Sequence, residues 1–357
     1  MFYIRQATLD DASTLLKLAK MVHFINLPAD PDIISAKIQR SRRSFLGEAP
    51  SPREREFMFV LVDSDTGNVI GTSSVISCIS WPGKPSVYFQ VRKREHYSED
   101  LQTGAVHVTL QIGTDESGAS EIGGLILGPS YRGHKDKLGA LLSLIRFHYV
   151  GLHREWFSER ITAEMMAPLT PDSRNTLWEY LGRRFINLSY AEADRFCQYS
   201  KEFMTSLLPK SEIYVSLLPP EARNLIGKVG RETVPAKRML ESLGFEYKGQ
   251  VDPFDGGPYL EAKRDDILLV KETRTLRLGS FDGEFTDTAF VSYDGESGFR
   301  AARTLCAVRG EEISIPPAEA AAIEAEIGAS VGVTVYPARE KPSEQRAARP
   351  VAGQART

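Results

Sequence analysis

A short basic segment between two apolar runs is the first candidate for chemistry in this sequence. Residues 121–127 have the pattern of a strand, and residues 138–149 have the apolar content of a helix. Between the two runs and at the start of the second are Arg132, Gly133, His134, Lys135, Lys137, Gly139 and Ala140. Cations and free backbone N–H groups at a helix start are suited to binding a pyrophosphate, because both favour negative charge. The other interpretation is a solvated loop without a ligand.

The histidines and cysteines predict neither a metal site nor a disulfide. The histidines lack metal-ligand spacing, and the three cysteines have no short spacing typical of a metal clip or a redox pair. These residues are His23, His96, His107, His134, His148, His153, Cys78, Cys197 and Cys306. We therefore expect no metal, reduced thiols and a cytoplasmic location.

Composition and charge argue against nucleic acid or a membrane as the partner. The 357 residues carry a formal net charge of −3, and 42% of them are hydrophobic, which is ordinary for a globular protein. The basic residues near 40–43 lack interleaved aromatic residues, so they predict a solvated helix face rather than a nucleic-acid surface. No signal peptide and no membrane span are expected. Small molecules are the expected substrates.

The basic segment lies within a predicted α+β fold. Residues 2–5 predict a strand, and two amphipathic helices follow, the second over 32–45. Residues 56–63 and 68–76 flank Asp65-Thr66-Gly67, which predicts a β-hairpin. Further strands are predicted at 87–91, 106–112, 121–127 and 160–166, and helices at 138–149, 191–208 and 317–327. The segment 233–247 predicts a helix that Gly244 ends, followed by a strand. The expected result is a strand, basic loop, helix and strand in succession.

The order of these motifs resembles the GNAT acyltransferase superfamily. Its pattern is matched by residues 4–11, by Thr66-Gly67, by Leu127 through Gly133 and by the segment 236–245. The resemblance implies a mixed, mostly antiparallel sheet flanked by helices. It also implies that a bulge and loop after the fourth strand hold the acyl-CoA pyrophosphate. A backbone N–H of that strand would polarise the thioester carbonyl.

A narrower resemblance covers about residues 2–336. Ala163-Glu164-Met165, Leu181 through Phe185 and above all Phe254 through Pro258 (FDGGP) are similar to the arginine N-succinyltransferase family. The expected organisation is an acyl-CoA transferase domain over 1–270 with a helical insertion at about 170–230. A small β-rich C-terminal lobe over 271–337 and a disordered tail over 338–357 complete it.

The family resemblance implies a set of site residues. Those expected to contact acyl-CoA are Leu125, Ile126, Leu127, Arg132, Gly133, His134, Lys135, Gly139 and Ala140. Asn26 and Asp255 are expected at the amine substrate, and Tyr214, Glu164, Glu116 or a water chain in proton transfer. Glu164 could equally be an ordinary strand carboxylate, Asp255 could cap its glycine-rich turn, and Tyr214 could be a buried tyrosine with a satisfied hydroxyl.

Two departures from the family pattern bear on function. Gly230 occupies the position of the family's proton-donating histidine, and Met166 that of an arginine. The resemblance implies transfer of succinyl from succinyl-CoA, or another acyl-CoA, to the α-amine of arginine or a related basic amino acid. The alternative is a catalytically altered member that binds acyl-CoA or uses another acyl group or amine. Such a member could be the partner of an active paralogue, in a homo- or hetero-oligomer.

Overall fold

The computed structural model describes residues 1–21, 27–170, 175–197, 200–280 and 284–336. Its strands are β1 (Phe2–Gln6), β2 (Glu56–Asp63), β3 (Asn68–Ile76), β4 (Ser86–Ser98), β5 (Thr103–Asp115), β6 (Ser120–Leu127), β7 (Arg160–Glu164), β8 (Ile213–Tyr214), β9 (Glu246–Val251), β10 (Pro258–Lys263), β11 (Thr273–Leu278), β12 (Asp287–Gly295), β13 (Gly298–Arg309), β14 (Glu312–Ser314) and β15 (Ser330–Tyr336). Its α-helices are α1 (Ala12–Met21), α2 (Pro31–Phe45), α3 (Leu138–Leu152), α4 (Arg183–Phe185), α5 (Tyr190–Cys197), α6 (Glu202–Leu207), α7 (Pro220–Arg223), α8 (Val234–Ser242), α9 (Leu268–Lys271) and α10 (Pro317–Ala322).

The strands of the described residues join in one mixed sheet. Its order is β12-β15-β11-β14-β13-β1-β2-β3-β6-β7-β10-β9-β4-β5-β8, and an added pairing between β12 and β13 closes the last five strands of the chain into a ring. Most neighbours are antiparallel, whereas β6 with β7 and β11 with β14 are parallel. This mixed, mostly antiparallel arrangement is the α+β architecture that the sequence predicts.

Local sequence explains why the first elements form. Asp30 precedes Pro31 at the start of α2, and its carboxylate accepts hydrogen bonds from the N–H groups of Asp32 and Ile33 at 2.9 and 3.2 Å. Such a cap satisfies N–H groups that have no partner inside the helix. The hairpin of β2 and β3 turns at Gly67, whose φ of 70° lies in the left-handed region.

Helices cover both faces of the central strands. Apolar residues of α3, α8 and α9 pack on one face with Phe57, Phe59 and Ile161. On the other face, α1 and α2 pack against Met58 and Val60. Because successive side chains of β2 point to opposite faces, its eight residues are buried on both sides. The sheet between these layers is therefore a fixed support for the loops at its edges.

The predicted C-terminal lobe has its own apolar cluster, which includes Leu276, Val291 and Val333. Its strands nevertheless continue the main sheet, because Ala301 and Arg300 of β13 pair with Ile4 and Arg5 of β1. The division of the chain at residue 270 stays a prediction. The tail predicted to be disordered, 338–357, lies outside the described residues.

Several predicted element bounds are wrong, among them the strands expected over 87–91 and 106–112, which extend over Ser86–Ser98 and Thr103–Asp115. The strand expected over 160–166 ends at Glu164, and the next N–H, of Met165, donates to the carbonyl of Pro258 at 3.1 Å. The single helix expected over 191–208 is two helices, α5 and α6. The helix expected to reach residue 327 ends at Ala322, because Glu324 has a φ of 60°, which a right-handed helix excludes.

Candidate active site

The site begins where β6 and β7 separate. These parallel strands pair at Ser120 with Ile161 and at Glu121 with Thr162. Beyond that point β6 stays paired with β3, and β7 stays paired with β10. A cleft therefore opens between β6 and β7. A ligand lying in such a cleft can hydrogen-bond to the exposed edges of both strands.

A β-bulge shapes the β6 side of this cleft. Ile126 pairs with Thr72 of β3 and Gly123 pairs with Ser74, so three steps along β6 oppose two along β3. Within the described chain, Gly124 and Leu125 have no register partner on β3. Gly124 has a φ of 59°, which favours glycine, and a bulge of this kind turns the following residue away from the ladder. The backbone around Leu125 is thereby directed to the cleft.

The cleft encloses about 160 Å³. Its walls come from β6, from α3, from the end of β7 and from the start of α8. The lining residues are Leu27, Ile122, Gly123, Gly124, Leu125, Ile126, Ser143, Arg146, Ala163, Glu164, Met165, Met166, Glu232, Thr233, Ala236, Leu240 and Asp255. The walls are mostly apolar and carry a few charged groups, as small-molecule sites usually do.

The basic loop follows β6 directly and leads into α3. Arg132 forms an ion pair with Glu232 at 2.8 Å, whereas Lys135 and Lys137 have no ion-pair partner within the described residues. Lys137 caps α3 without a side-chain hydrogen bond, and its φ is 50°. The first N–H groups of this 15-residue helix therefore lie beside two lysines. This arrangement favours an anion.

Glu164 closes the other side of the cleft at the end of β7. Burial, with a further contribution from Asp252, raises its pKa well above the ordinary value of a glutamate. A carboxylate with a raised pKa is a stronger base in its ionised form, so it can accept a proton from an attacking amine. Glu164 also lines a second, smaller cavity of about 40 Å³.

Asp255 faces the same cleft but is held by its own turn. Its two carboxylate oxygens accept hydrogen bonds from the N–H groups of Gly257 at 2.6 Å and Ala167 at 2.9 Å. Burial and Asp252 raise its pKa to about 7. A Cβ on Gly257 would lie 1.9 Å from the carbonyl oxygen of Met165, so the FDGGP turn can approach the end of β7 only with glycine there. Asp255 thus positions the chain that follows Glu164.

The second cavity is acidic. It is lined by Glu121, Glu164, Asp115, Arg160, Lys201 and Tyr259, among others. Burial raises the pKa of Glu121. Burial lowers the pKa of Lys201, but the carboxylates of Glu164 and Asp252 act more strongly in the opposite direction, so that its pKa is raised. A cation entering this cavity would find carboxylates in excess.

The structure brings most predicted residues together and separates others. Leu125, Ile126, Glu164 and Asp255 line one cleft. The predicted loop residues Arg132, Gly133, His134 and Lys135 follow β6, and Gly139 and Ala140 begin α3. Leu127 instead packs against the central core. Asn26 lies outside the described residues.

Tyr214 lies elsewhere. It is on β8, which pairs with β5 at the end of the sheet, and its hydroxyl is 3.3 Å from Nε2 of His96. It does not line the cleft, so the cleft geometry supports no role for it in proton transfer. Gly230 lies beside the cleft, since its N–H donates to the carbonyl of Met166 at 3.0 Å. No imidazole is present at that position.

Sequence reasoning missed Arg146, Glu121 and Lys201. Arg146 is 3% exposed, and it is a cation within the apolar helix α3. That isolated charge is the signal that could have identified it. Glu121 and Lys201 had no comparable signal, because their proximity depends on long-range packing.

A mixed sheet with a bulged strand that separates from a parallel neighbour, next to a basic loop and helix start, defines a GNAT-type acyltransferase. Comparison with known proteins narrows this class. The model of a family described as arginine N-succinyltransferase beta subunit matches residues 2–269. The chain belongs to the arginine N-succinyltransferase family, an acyltransferase family.

Individual relatives agree with this assignment. The chain is 33% identical to an arginine N-succinyltransferase from Yersinia pestis over 344 residues, which are 93% of this chain and 97% of the relative. It is 35% identical to one from Citrobacter koseri over 279 residues, which are 77% and 80% of the two chains. Among solved structures, the arginine/ornithine succinyltransferase subunit AI from Pseudomonas aeruginosa matches with a TM-score of 0.78 and 25% identity, covering 94% of this chain and 98% of that chain.

The described residues contain neither a metal-binding cluster nor a helix that could cross a membrane. No group of three or more His, Cys, Asp or Glu side chains there is arranged to hold a metal ion. None of the helices described is both long and apolar enough to cross a membrane.

Proposed function

We propose that the protein transfers a succinyl group from succinyl-CoA to the α-amine of arginine or a related basic amino acid. The observation that carries this proposal is the cleft between β6 and β7, with the bulge at Leu125 on one side and Glu164 on the other. Membership of the arginine N-succinyltransferase family supports the choice of acyl group and amine.

The basic loop would hold the CoA phosphates and the bulge would hold the thioester. A backbone N–H at the bulge would donate to the carbonyl oxygen as negative charge develops there. One such donor typically contributes about 3 kcal/mol to acyl transfer. Arg132, Lys135, Lys137 and the N-terminus of α3 supply the positive charge for the phosphates. The thioester is already activated, so holding the two reactants together supplies much of the rate.

Glu164 is the proposed base. The amine nitrogen bonds to the succinyl carbonyl carbon while the bond from that carbon to the CoA sulfur breaks. The nitrogen's surplus proton passes to Glu164 and from there, through solvent, to the departing sulfur, so that CoA leaves as the thiol. The raised pKa of Glu164 supports this assignment, because it makes the ionised carboxylate a stronger base than an ordinary glutamate.

The acidic cavity on the far side of Glu164 supports a cationic amine substrate. Glu121 and Glu164 both line it, and each has a pKa raised by burial. Lys201 already lies beside these carboxylates, and a guanidinium or ammonium group entering the cavity would share them with it and form charge-assisted hydrogen bonds. Recognition of the basic side chain is therefore assigned to this cavity.

A second candidate function rests on Gly230. The family resemblance places a histidine at that position, so the chain would bind acyl-CoA without efficient transfer, or use another acyl group or amine. It would then act as the partner of an active paralogue. The matching family model describes a beta subunit, and the Pseudomonas neighbour is named as a subunit. A cytoplasmic location and a homo- or hetero-oligomer are further parts of the proposal.

A thiol-release assay with mass analysis of the product tests the main proposal. Purified protein is given succinyl-CoA or acetyl-CoA with arginine, ornithine, lysine and an uncharged amino acid. We expect CoA release and a product heavier than arginine by one succinyl group, with Glu164→Gln losing about 100-fold or more in kcat and Tyr214→Phe unchanged. Binding of CoA without release for any pair would favour the second candidate.

A further inference from the structure

Arg146 is a buried cation in the wall of the cleft. It lies on α3, whose other buried residues are apolar except Ser143 and His148, and it is 3% exposed. The other charged residues that line the cleft in the described structure are Glu164, Glu232 and Asp255. The wall therefore contains one cation among carboxylates.

The protein provides acceptors for only some of the N–H donors of the Arg146 guanidinium. Its Nε donates to the carbonyl oxygen of Ser143 at 2.9 Å, its Nη1 donates to the carbonyl oxygen of Gly123 at 3.2 Å, and its Nη2 donates to the hydroxyl of Ser143. An arginine has five N–H groups, so two are left after these three bonds. Within the described residues it has no carboxylate partner.

The lack of an anion has an electrostatic consequence. Burial lowers the pKa of Arg146 to about 9, so the side chain is still protonated at neutral pH. A buried charge without a counter-ion is costly, and an anionic ligand that reaches it recovers part of that cost. One hydrogen bond to Gly123 and two to Ser143 fix the guanidinium, so it is already oriented before a ligand arrives.

The direction of the cleft shows which part of a ligand would meet it. The basic loop follows the C-terminal end of β6, the bulge lies at Gly124 and Leu125, and Gly123 comes before the bulge. If phosphates lie at the loop and the thioester at the bulge, as in the proposed function on which this step rests, the acyl chain points towards Gly123. Arg146 is hydrogen-bonded to that residue.

We propose that Arg146 binds the distal carboxylate of a dicarboxylic acyl group and so selects succinyl-CoA over uncharged acyl-CoAs of the same length. The planar guanidinium matches a carboxylate with two parallel hydrogen bonds. Met166, at the position where the family resemblance places an arginine, lines the same cleft and offers no charge. Arg146 supplies the cation from a different element, the helix instead of the end of β7.

The test compares the binding of succinyl-CoA, butyryl-CoA and CoA by calorimetry, without any amine. Succinyl and butyryl have the same number of carbons, and only succinyl carries the carboxylate. We expect wild type to prefer succinyl-CoA and Arg146→Met to lose that preference, with succinyl-CoA bound about 100-fold more weakly. Binding of CoA should be unchanged. An unchanged preference, or a parallel loss for all three ligands, would overturn the role of Arg146.

Two further variants distinguish a specific loss of carboxylate binding from misfolding of Arg146→Met. Arg146→Lys keeps the charge but loses the planar donor pair, so we expect an intermediate, still selective, loss for succinyl-CoA. Ser143→Ala removes one hydrogen bond that orients the guanidinium but keeps the cation, so we expect a smaller loss of the preference than in Arg146→Met. Turnover is measured separately: a protein that binds succinyl-CoA selectively but releases no CoA refutes the transfer activity, not the carboxylate site.

Discussion

Arg132 and Glu232 form an ion pair, with 2.8 Å between Nη1 and Oε2, that joins the loop after β6 to the segment before α8. Glu232 lines the cleft and Arg132 belongs to the basic loop that we assign to the CoA phosphates. A phosphate and Glu232 would thus compete for the same guanidinium. The pair holds two sides of the cleft together when no phosphate is bound.

Glu232→Gln should strengthen CoA binding. The variant frees Arg132 for the phosphates, and because an exposed ion pair is worth at most about 1 kcal/mol, the gain in affinity is limited to about fivefold. Glu241→Gln is the matched control, since Glu241 pairs with Lys237 on α8 and does not line the cleft. Calorimetry with CoA measures both. Weaker binding by Glu232→Gln would mean that Glu232 itself contacts the ligand.

The double variant Lys135→Gln and Lys137→Gln should weaken binding of every CoA thioester alike. Each lysine contributes a solvent-exposed interaction with a phosphate, so we expect about tenfold weaker binding and a smaller dependence on salt concentration. The double variant Lys248→Gln and Lys263→Gln, at exposed positions of β9 and β10, is the control for the same change in net charge. Equal effects of the double variant and the control would show that the loop does not bind the CoA phosphates.

Local patterns in the sequence predict elements well where the signals are short-range. The hairpin of β2 and β3 has the predicted bounds because its strands are separated by a turn that Gly67 fixes. The cleft itself depends on pairings between distant segments, such as β6 with β7, which no local pattern encodes. The same limit explains Tyr214, whose place at the end of the sheet follows from pairing with β5.

The candidate site was predictable only in part for the same reason. The family resemblance identified Leu125 and Glu164, and the two residues line one cleft. It gave no indication of Arg146, since the burial of that charge depends on how α3 lies against β6. Packing also decides whether a carboxylate is hydrogen-bonded to the backbone. Asp255 accepts hydrogen bonds from two backbone N–H groups, whereas its sequence context allowed either this role or substrate binding.

Glu164→Gln should change the pH dependence of stability. The pKa of Glu164 is raised on folding, so the folded protein holds this proton more tightly than the unfolded chain. Wild type therefore loses stability as pH rises from the unfolded pKa through the folded one, by about 1.4 kcal/mol for each unit of difference. We expect the variant and wild type to have similar free energies of unfolding at acid pH.

At alkaline pH the glutamine variant should be the more stable protein, as measured by chemical denaturation across the pH range. Glu212→Gln is the contrasting control, because Arg94 lowers the pKa of Glu212 to about 2 and its effect has the opposite sign. A wild type that is stabilised relative to Glu164→Gln as pH rises would contradict the raised pKa.

Gly230→His should fold and gain activity. A Cβ at Gly230 would lie 3.5 Å from the carbonyl oxygen of Ala167, an ordinary contact, and its N–H bonds to Met166 at the cleft wall. An added acid–base group commonly contributes at least about 100-fold, so even imperfect placement should raise kcat measurably. Gly230→Gln, which has a side chain without a titratable ring, is the control. A folded histidine variant with wild-type kcat would show that proton transfer is not limiting.

The central claim is that the cleft between β6 and β7 holds the acyl-CoA thioester. Hydrogen–deuterium exchange of the protein with and without succinyl-CoA tests it most directly, because it maps the ligand without requiring turnover. We predict slower exchange in peptides that cover Gly123 through Leu127 and the start of α3, and no change around Tyr214. Protection confined to other parts of the chain, with the β6 peptides unaffected by saturating ligand, would contradict the account.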